Sequence, residues 1–194
     1  MTWLLRLMPG CAAGGRDVPT LETLSVRAEG AVLFVDISAP PMNLLGPELV
    51  RDLVSLIQQV EADDAIKVLV FKSADPDYFI SHVDVTKVKE YREAAAELAG
   101  EASIALLFRR LSESRLVTIA QIEGCVRAAG SEFVLACDTR FAARESAAIF
   151  AQPEAGLGVL APIEDFRRDS DLFGEGVRKP EALSRSEAAL KRGF

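Results

Sequence analysis

Between Ala31 and Ser73 the spacing of apolar residues changes period twice, and this constrains the fold more than any other feature of the chain. Residues 31–38 are β-rich. From Pro47 to Ala62 the apolar residues Leu49, Val50, Leu53, Leu56, Ile57 and Val60 recur at helical intervals, which marks one buried face of an amphipathic helix. "KVLVFKS" then returns to a short, nearly continuous apolar run, of the kind found in strands covered on both faces. Strand, helix, strand in this order is the pattern of a parallel sheet with a helical crossover. Pro47 suits the first turn of the helix, where its missing N–H costs nothing.

The rest of the chain continues the alternation. Residues 23–28 form a second β-rich run, joined to 31–38 by Glu29-Gly30, which reads as a hairpin turn. Two helical stretches are expected at about 85–98 and 101–114, separated by Gly100. "LVTIAQIEG" reads as a strand followed by a turn into a further helix, and "TRFAA" and "AAIFA" as short strands. "QPEAGLGV" is a Gly-rich turn. The expected class is α/β. Residues 1–20 read as a disordered tail, 21–160 as the core, and 161–194 as a charged tail with a last short helix near Glu181–Arg192.

Charge and cysteine content narrow the function classes. The formal charge of −7 opposes a general nucleic-acid role, because phosphate contacts need clustered Lys and Arg. No apolar run approaches the roughly 20 residues of a membrane span. Cys11, Cys125 and Cys137 have no CxxC spacing and the chain has one histidine, so a metal site is not expected. Unpaired cysteines of this kind suit a reducing compartment, and a cytoplasmic location is expected.

The segment "GCVRAAGSEFVLACD" raises the chemical question. Ala128, Ala129, Gly130 and Ser131 precede a lone carboxylate, Glu132, and apolar Phe133–Cys137 follow it at once. An unpaired buried charge costs several kcal/mol, so Glu132 either faces solvent in a first helical turn or is kept for chemistry. A helix start also offers main-chain N–H groups without intrahelical acceptors, which can hold an anion. His82, Ser131 and Asp138 are the residue types of a hydrolase triad, but "AAGSEF" lacks the G-x-S-x-G elbow.

"EGCVRAAGSEFVLACDTRFAAR", followed by "FAQPEAGLGV", resembles the crotonase, or enoyl-CoA hydratase/isomerase, family. "VDISAPPMNLLGPELVRDL" is similar to its N-terminal strand, Pro-x-Asn turn and first helix, and "YFISHVDV" stands in the place of its Phe-Ser-x-Gly-Ala-Asp loop. The resemblance runs from about Leu21 to Val159 in the family's order. It implies a crotonase-like ββα spiral core. It implies catalytic carboxylates at Glu132 and Glu154, and an oxyanion hole made by the backbone N–H groups of Val83 and Ala129. His82 becomes a candidate substrate contact. The implied substrate is an acyl-CoA, hydrated as a 2-enoyl thioester, with double-bond isomerisation as the next choice. No cofactor is implied beyond the CoA of the substrate, and a homo-oligomer, trimer or hexamer, is implied.

The chain departs from the family in three places. Its glycine-rich turn is mostly Ala-Ala-Gly, Ala151 stands where glycine is common, and "GLGVLAP" is not followed by the Pro-Gly-x-Gly-Gly segment and long helical region. A shortened C-terminal helical tail is therefore expected, leaving apolar surface for another subunit to cover. The alternative reading is a truncated, inactive crotonase-like module that acts by oligomerising or binding a partner.

Overall fold

The hairpin expected at the start of the core is present. β1 (Leu24–Glu29) and β2 (Val32–Ile37) pair antiparallel from Leu24↔Ile37 to Glu29↔Val32. Gly30 turns between them with φ +59°, a conformation that costs glycine nothing. The structure, a computed structural model, describes residues 21–144, 149–151 and 180. The expected 1–20 tail, Glu154 and, apart from Pro180, the 161–194 tail lie outside the described residues.

α1 (Pro47–Glu61) buries Leu49, Val50, Leu53, Leu56, Ile57 and Val60, the residues its periodicity singles out. Glu48 sits in the first turn, where the helix dipole favours negative charge. At the other end Arg115 donates to the carbonyls of Val60 at 3.0 Å and Asp63 at 2.8 Å, satisfying groups that a helix end leaves open. β3 (Val68–Ser73) follows, parallel to β2 from Val32↔Val68 to Ile37↔Ser73.

The next elements are β4 (Tyr78–Ile80), α2 (Val88–Ala99), α3 (Ile104–Ser112), β5 (Val117–Ile122) and β6 (Cys125–Arg127). They are followed by α4 (Ala129–Ala136), β7 (Thr139–Ala142) and β8 (Phe150–Ala151). Both middle helices start three residues later than their apolar pattern suggests, for a local reason. The Asp84 carboxylate accepts from the Thr86 N–H at 3.0 Å, and the Lys87 N–H bonds the Asp84 carbonyl at 3.0 Å, so residues 84–87 form a turn. Ser103 likewise caps α3, its Oγ accepting from the Leu106 N–H at 3.2 Å. Gly100 closes α2 in the left-handed conformation at φ +80°, a common helix stop.

The large sheet has the order β1-β2-β3-β5-β7, parallel except for the first pair. The fold is α/β, with four helices, α1–α4, among the described residues. A second sheet, β4-β6-β8, is parallel throughout. Two of its strands, 78–80 and 125–127, are absent from the sequence reading, which takes the first as loop and the second as a turn. At three residues each they are too short for an alternation to show. No helix of the described residues is long and apolar enough to cross a membrane.

The core lies on one face of the large sheet, where Leu33, Val35, Ile37, Leu69 and Phe71 are fully buried. Phe133 of α4 is its centre. Its ring meets Phe71 edge-on at 5.1 Å and Phe108 at 5.8 Å, with Phe79 at 6.3 Å. Such edge-to-face contacts add to the burial of the rings themselves. The opposite face is less covered: Val117 and Phe141 are 49% and 61% exposed.

Asn43 fastens the loop before α1 to both sheets. It is buried and left-handed at φ +49°, a conformation that Asn tolerates better than most residues. Its Oδ1 accepts from the Ala39 N–H at 2.8 Å, and its Nδ2 donates to Ser73 Oγ and to the carbonyls of Tyr78 and Phe79. The β3–β4 connection is thereby held against the loop that leads into α1.

α4 is laid across the second sheet at a close backbone approach. A Cβ on Gly130 would fall on the Ile80 carbonyl oxygen and within 3.0 Å of its carbon. Two residues earlier in the turn, Ala128 takes φ +50°, ψ −127°, a region that suits glycine and costs other residues about 1–3 kcal/mol. The two positions should therefore respond in opposite directions. Gly130→Ala is expected to lower stability by about 3 kcal/mol, the upper end of overpacking costs. Ala128→Gly is expected to raise it by about 1 kcal/mol, strain relief less the greater chain entropy of glycine. Urea denaturation midpoints measure both, and equal midpoints for the two variants would contradict this reading of the turn.

Candidate active site

The candidate residues come from two elements that the Gly130 contact holds together. Ala129 is the first residue of α4 and Glu132 lies in its first turn. The first N–H groups of a helix have no acceptor within it. Here the Ala128 N–H is taken by the Ala151 carbonyl at 2.9 Å and the Glu132 N–H by the Ala128 carbonyl at 3.2 Å. Ser131 is buried, and its hydroxyl donates to the Ala151 carbonyl at 3.1 Å. The start of α4 is thus tied to β8 from two sides.

Val83 stands three residues past the end of β4, in a parallel bridge with Leu45. The bridge is made by the Leu45 N–H to the His82 carbonyl at 2.9 Å and the Asp84 N–H to the Leu45 carbonyl at 3.2 Å. Extended backbone alternates the direction of its polar groups, so the N–H of Val83 is directed away from Leu45. His82 steadies this residue. Its Nδ1 lies 2.6 Å from the Val83 carbonyl, and since a carbonyl only accepts, Nδ1 carries the proton. Nε2 is then left as an acceptor in the neutral ring; it is buried without a partner among the described residues.

Glu132 is half-buried, neither the solvated surface charge nor the fully buried one weighed from the sequence. Its charge acts on Tyr91, a fully buried side chain of α2. Burial raises the Tyr91 phenol far above its usual pKa, the Arg92 guanidinium opposes this, and the carboxylates of Glu132 and Asp84 raise it further. The charge of Glu132 on α4 and that of Asp84, next to Val83, therefore act on one hydroxyl. Tyr91 is absent from the sequence candidates. The one available signal, an aromatic three and four residues before Ala94 and Ala95 on the buried face, reads as packing.

The triad types are engaged elsewhere. Asp138 accepts from the Thr118 N–H at 2.7 Å and hydroxyl at 2.9 Å, and Thr118 Oγ1 in turn accepts from the Asp138 N–H at 3.0 Å. This closed exchange locks β5 to the end of α4. Cys137, next to it, is buried, and burial pushes its thiol up to about 12 against the pull of Arg140; a group so shifted is no nucleophile near neutrality.

A family model described as enoyl-CoA hydratase/isomerase matches residues 27–166. The chain is 30% identical over 179 residues to a fatty acid oxidation complex subunit alpha from Idiomarina loihiensis, covering 89% of this chain and 25% of that protein. It is 29% identical over 160 residues to a short-chain-enoyl-CoA hydratase from Clostridium acetobutylicum, covering 82% of this chain and 60% of that one. The chain thus spans less than two thirds of the length of these curated relatives. Among solved structures, a protein from Streptomyces avermitilis described as a candidate enoyl-CoA hydratase is 33% identical, with TM-score 0.84 over 92% of this chain and 93% of that one. Pseudomonas aeruginosa DspI is 30% identical, with TM-score 0.64 over 76% of this chain and 59% of its own. The match over most of the chain settles its descent: it belongs to the enoyl-CoA hydratase/isomerase family, the crotonases.

Proposed function

We propose that this chain hydrates a 2-enoyl-CoA thioester, with CoA entering only as part of the substrate. The observation that carries the reading is the half-buried Glu132 in the first turn of α4, a helix that the Gly130 contact lays on the strand leading to Val83. In the proposed step, the oxygen of water bonds to C3 while the C2–C3 π pair shifts toward the thioester carbonyl. The resulting enolate oxygen is held by the N–H groups of Val83 and Ala129, and fixed donors of this kind contribute up to about 3–4 kcal/mol each. One carboxylate takes the proton of the water and a second, in its acid form, delivers a proton to C2. Glu132 and Glu154 divide these tasks, Glu154 on the strength of the family resemblance alone. Because the donors belong to the main chain, Val83 and Ala129 serve without glycine as long as the backbone keeps its path. The buried thiols Cys125 and Cys137 suit a reducing, cytoplasmic setting.

Wild-type protein is expected to convert crotonyl-CoA or a medium-chain enoyl-CoA to the 3-hydroxyacyl thioester. Glu132→Gln keeps the shape but cannot carry the proton, so turnover is expected to fall by about 10²-fold or more, with the melting temperature little changed. Wild-type turnover in the variant would remove Glu132 from the mechanism. No hydration of either substrate by wild-type protein would favour the inactive, partner-binding module instead.

The assembly belongs to the same proposal. Val32, Phe34, Val68, Val70, Val117, Ile119 and Phe141 share the face of the large sheet opposite the core, by register and alternation. A second copy of the chain is the proposed cover. Burying a few hundred Å² there is worth several kcal/mol at ~25 cal/mol per Å². Light scattering after size exclusion should give a multiple of the 21.0 kDa chain mass. A monodisperse monomer that melts cooperatively and binds no ANS would contradict it.

A further inference from the structure

Four buried side-chain polar atoms of the described residues have no hydrogen-bond partner, and three of them, Ser81 Oγ, His82 Nε2 and Tyr91 Oη, lie in the one stretch that carries Val83. Buried polar groups in folded proteins are nearly always paired, so a cluster of exceptions in one eleven-residue stretch (81–91) marks a place where a ligand supplies the partner. Tyr91 is the most informative of the three. Its side chain is fully buried, and it rides on the first turn of α2, its N–H bonded to the Lys87 carbonyl at 3.2 Å. That turn directly follows the Asp84–Lys87 turn, so the phenol is set by the same backbone that sets the Val83 N–H.

We propose that the Tyr91 hydroxyl is a substrate-contacting residue of this site, donating a hydrogen bond to the oxygen at C3 of the acyl chain. That oxygen is the incoming water in hydration and the 3-hydroxyl in the product; the inference rests on the acyl-thioester reading. Three properties favour this role over packing. A phenylalanine would fill the same space without an unpaired oxygen, so the hydroxyl costs stability unless something accepts from it. Burial, with the Glu132 and Asp84 carboxylates adding to it against Arg92, keeps the phenol protonated, so it acts as a donor and not as a base. And one of the two carboxylates whose charge it feels is Glu132, the group proposed to act on the same water. A donor and a carboxylate together fix one oxygen atom from two directions, which a carboxylate alone does not.

The test is ligand preference in wild type and Tyr91→Phe, measured by titration calorimetry. 3-Oxobutanoyl-CoA carries an oxygen at C3 and cannot be hydrated across C2–C3; butanoyl-CoA lacks that oxygen. Wild type is expected to bind the 3-oxo thioester more tightly. In Tyr91→Phe the preference should fall by about 5- to 20-fold, the loss expected of one buried hydrogen bond, with butanoyl-CoA affinity within about 2-fold of wild type. The melting temperature of the variant should equal or exceed that of wild type, since an unpaired hydroxyl is removed. A preference absent from wild type, or unchanged in the variant, overturns the role of Tyr91 and leaves the acyl-thioester reading standing. Failure of wild type to bind either thioester overturns both.

Discussion

The contact between Gly130 and the Ile80 carbonyl governs the rest of the arrangement. With no Cβ at 130, α4 lies directly on the end of β4, and the strand that ends at Ile80 runs on within three residues to Val83. A side chain of any size at 130 would push the helix away from that strand. The consequence reaches Glu132, which is fixed from the other direction by its neighbour Phe133 among the rings of Phe71, Phe79 and Phe108. A half-buried carboxylate is costly to hold unless its surroundings are rigid and polar groups are near, and here backbone contact on one side and aromatic packing on the other supply the rigidity. Gly124 repeats the device at the other end of β6, where a Cβ would come 2.6 Å from the Tyr78 nitrogen. The second sheet is small, and Gly124 and Gly130 let its neighbours approach it at backbone distance.

Much of this was legible in the sequence, and the reason is periodicity. The hairpin, α1, β3, β5 and β7 have apolar spacings long enough to fix their type, and their bounds agree with the structure to within a residue or two. The two middle helices were legible as helices but not in where they begin, because the Asp84–Lys87 turn and the Ser103 cap override an apolar pattern that continues through them. β4 and β6 were illegible on their own, since three residues carry no period and their pairing is set by contacts distant in sequence. Without them, the convergence of the Val83 loop and α4 could not be derived from residues alone; family resemblance supplied it.

The polar core residues show a different limit. In the sequence Asn43 belongs to a turn and Asp138 to a set of triad residue types, yet each closes a hydrogen-bond set between elements far apart in the chain. Asp52 does the same for the start of the core, its carboxylate accepting from the Glu22 N–H at 2.8 Å and the Thr23 N–H at 2.6 Å. Residues of this kind specify the fold through geometry that no local pattern reports. Ala128 is the converse case. The sequence shows only a small residue, whereas the backbone shows a conformation that glycine would relieve. That observed path is what allows Val83 and Ala129 to be proposed as donors despite the departures from the family's glycines.

The central claim is that the Val83 and Ala129 amides, with Glu132 beside them, form one site for an acyl thioester. A crystal structure of the protein with bound 3-oxobutanoyl-CoA tests it most directly. The thioester oxygen is expected at about 2.7–3.1 Å from both main-chain nitrogens, with C2 and C3 facing the Glu132 carboxylate. A thioester held elsewhere, or with its oxygen out of reach of either amide, would contradict the account.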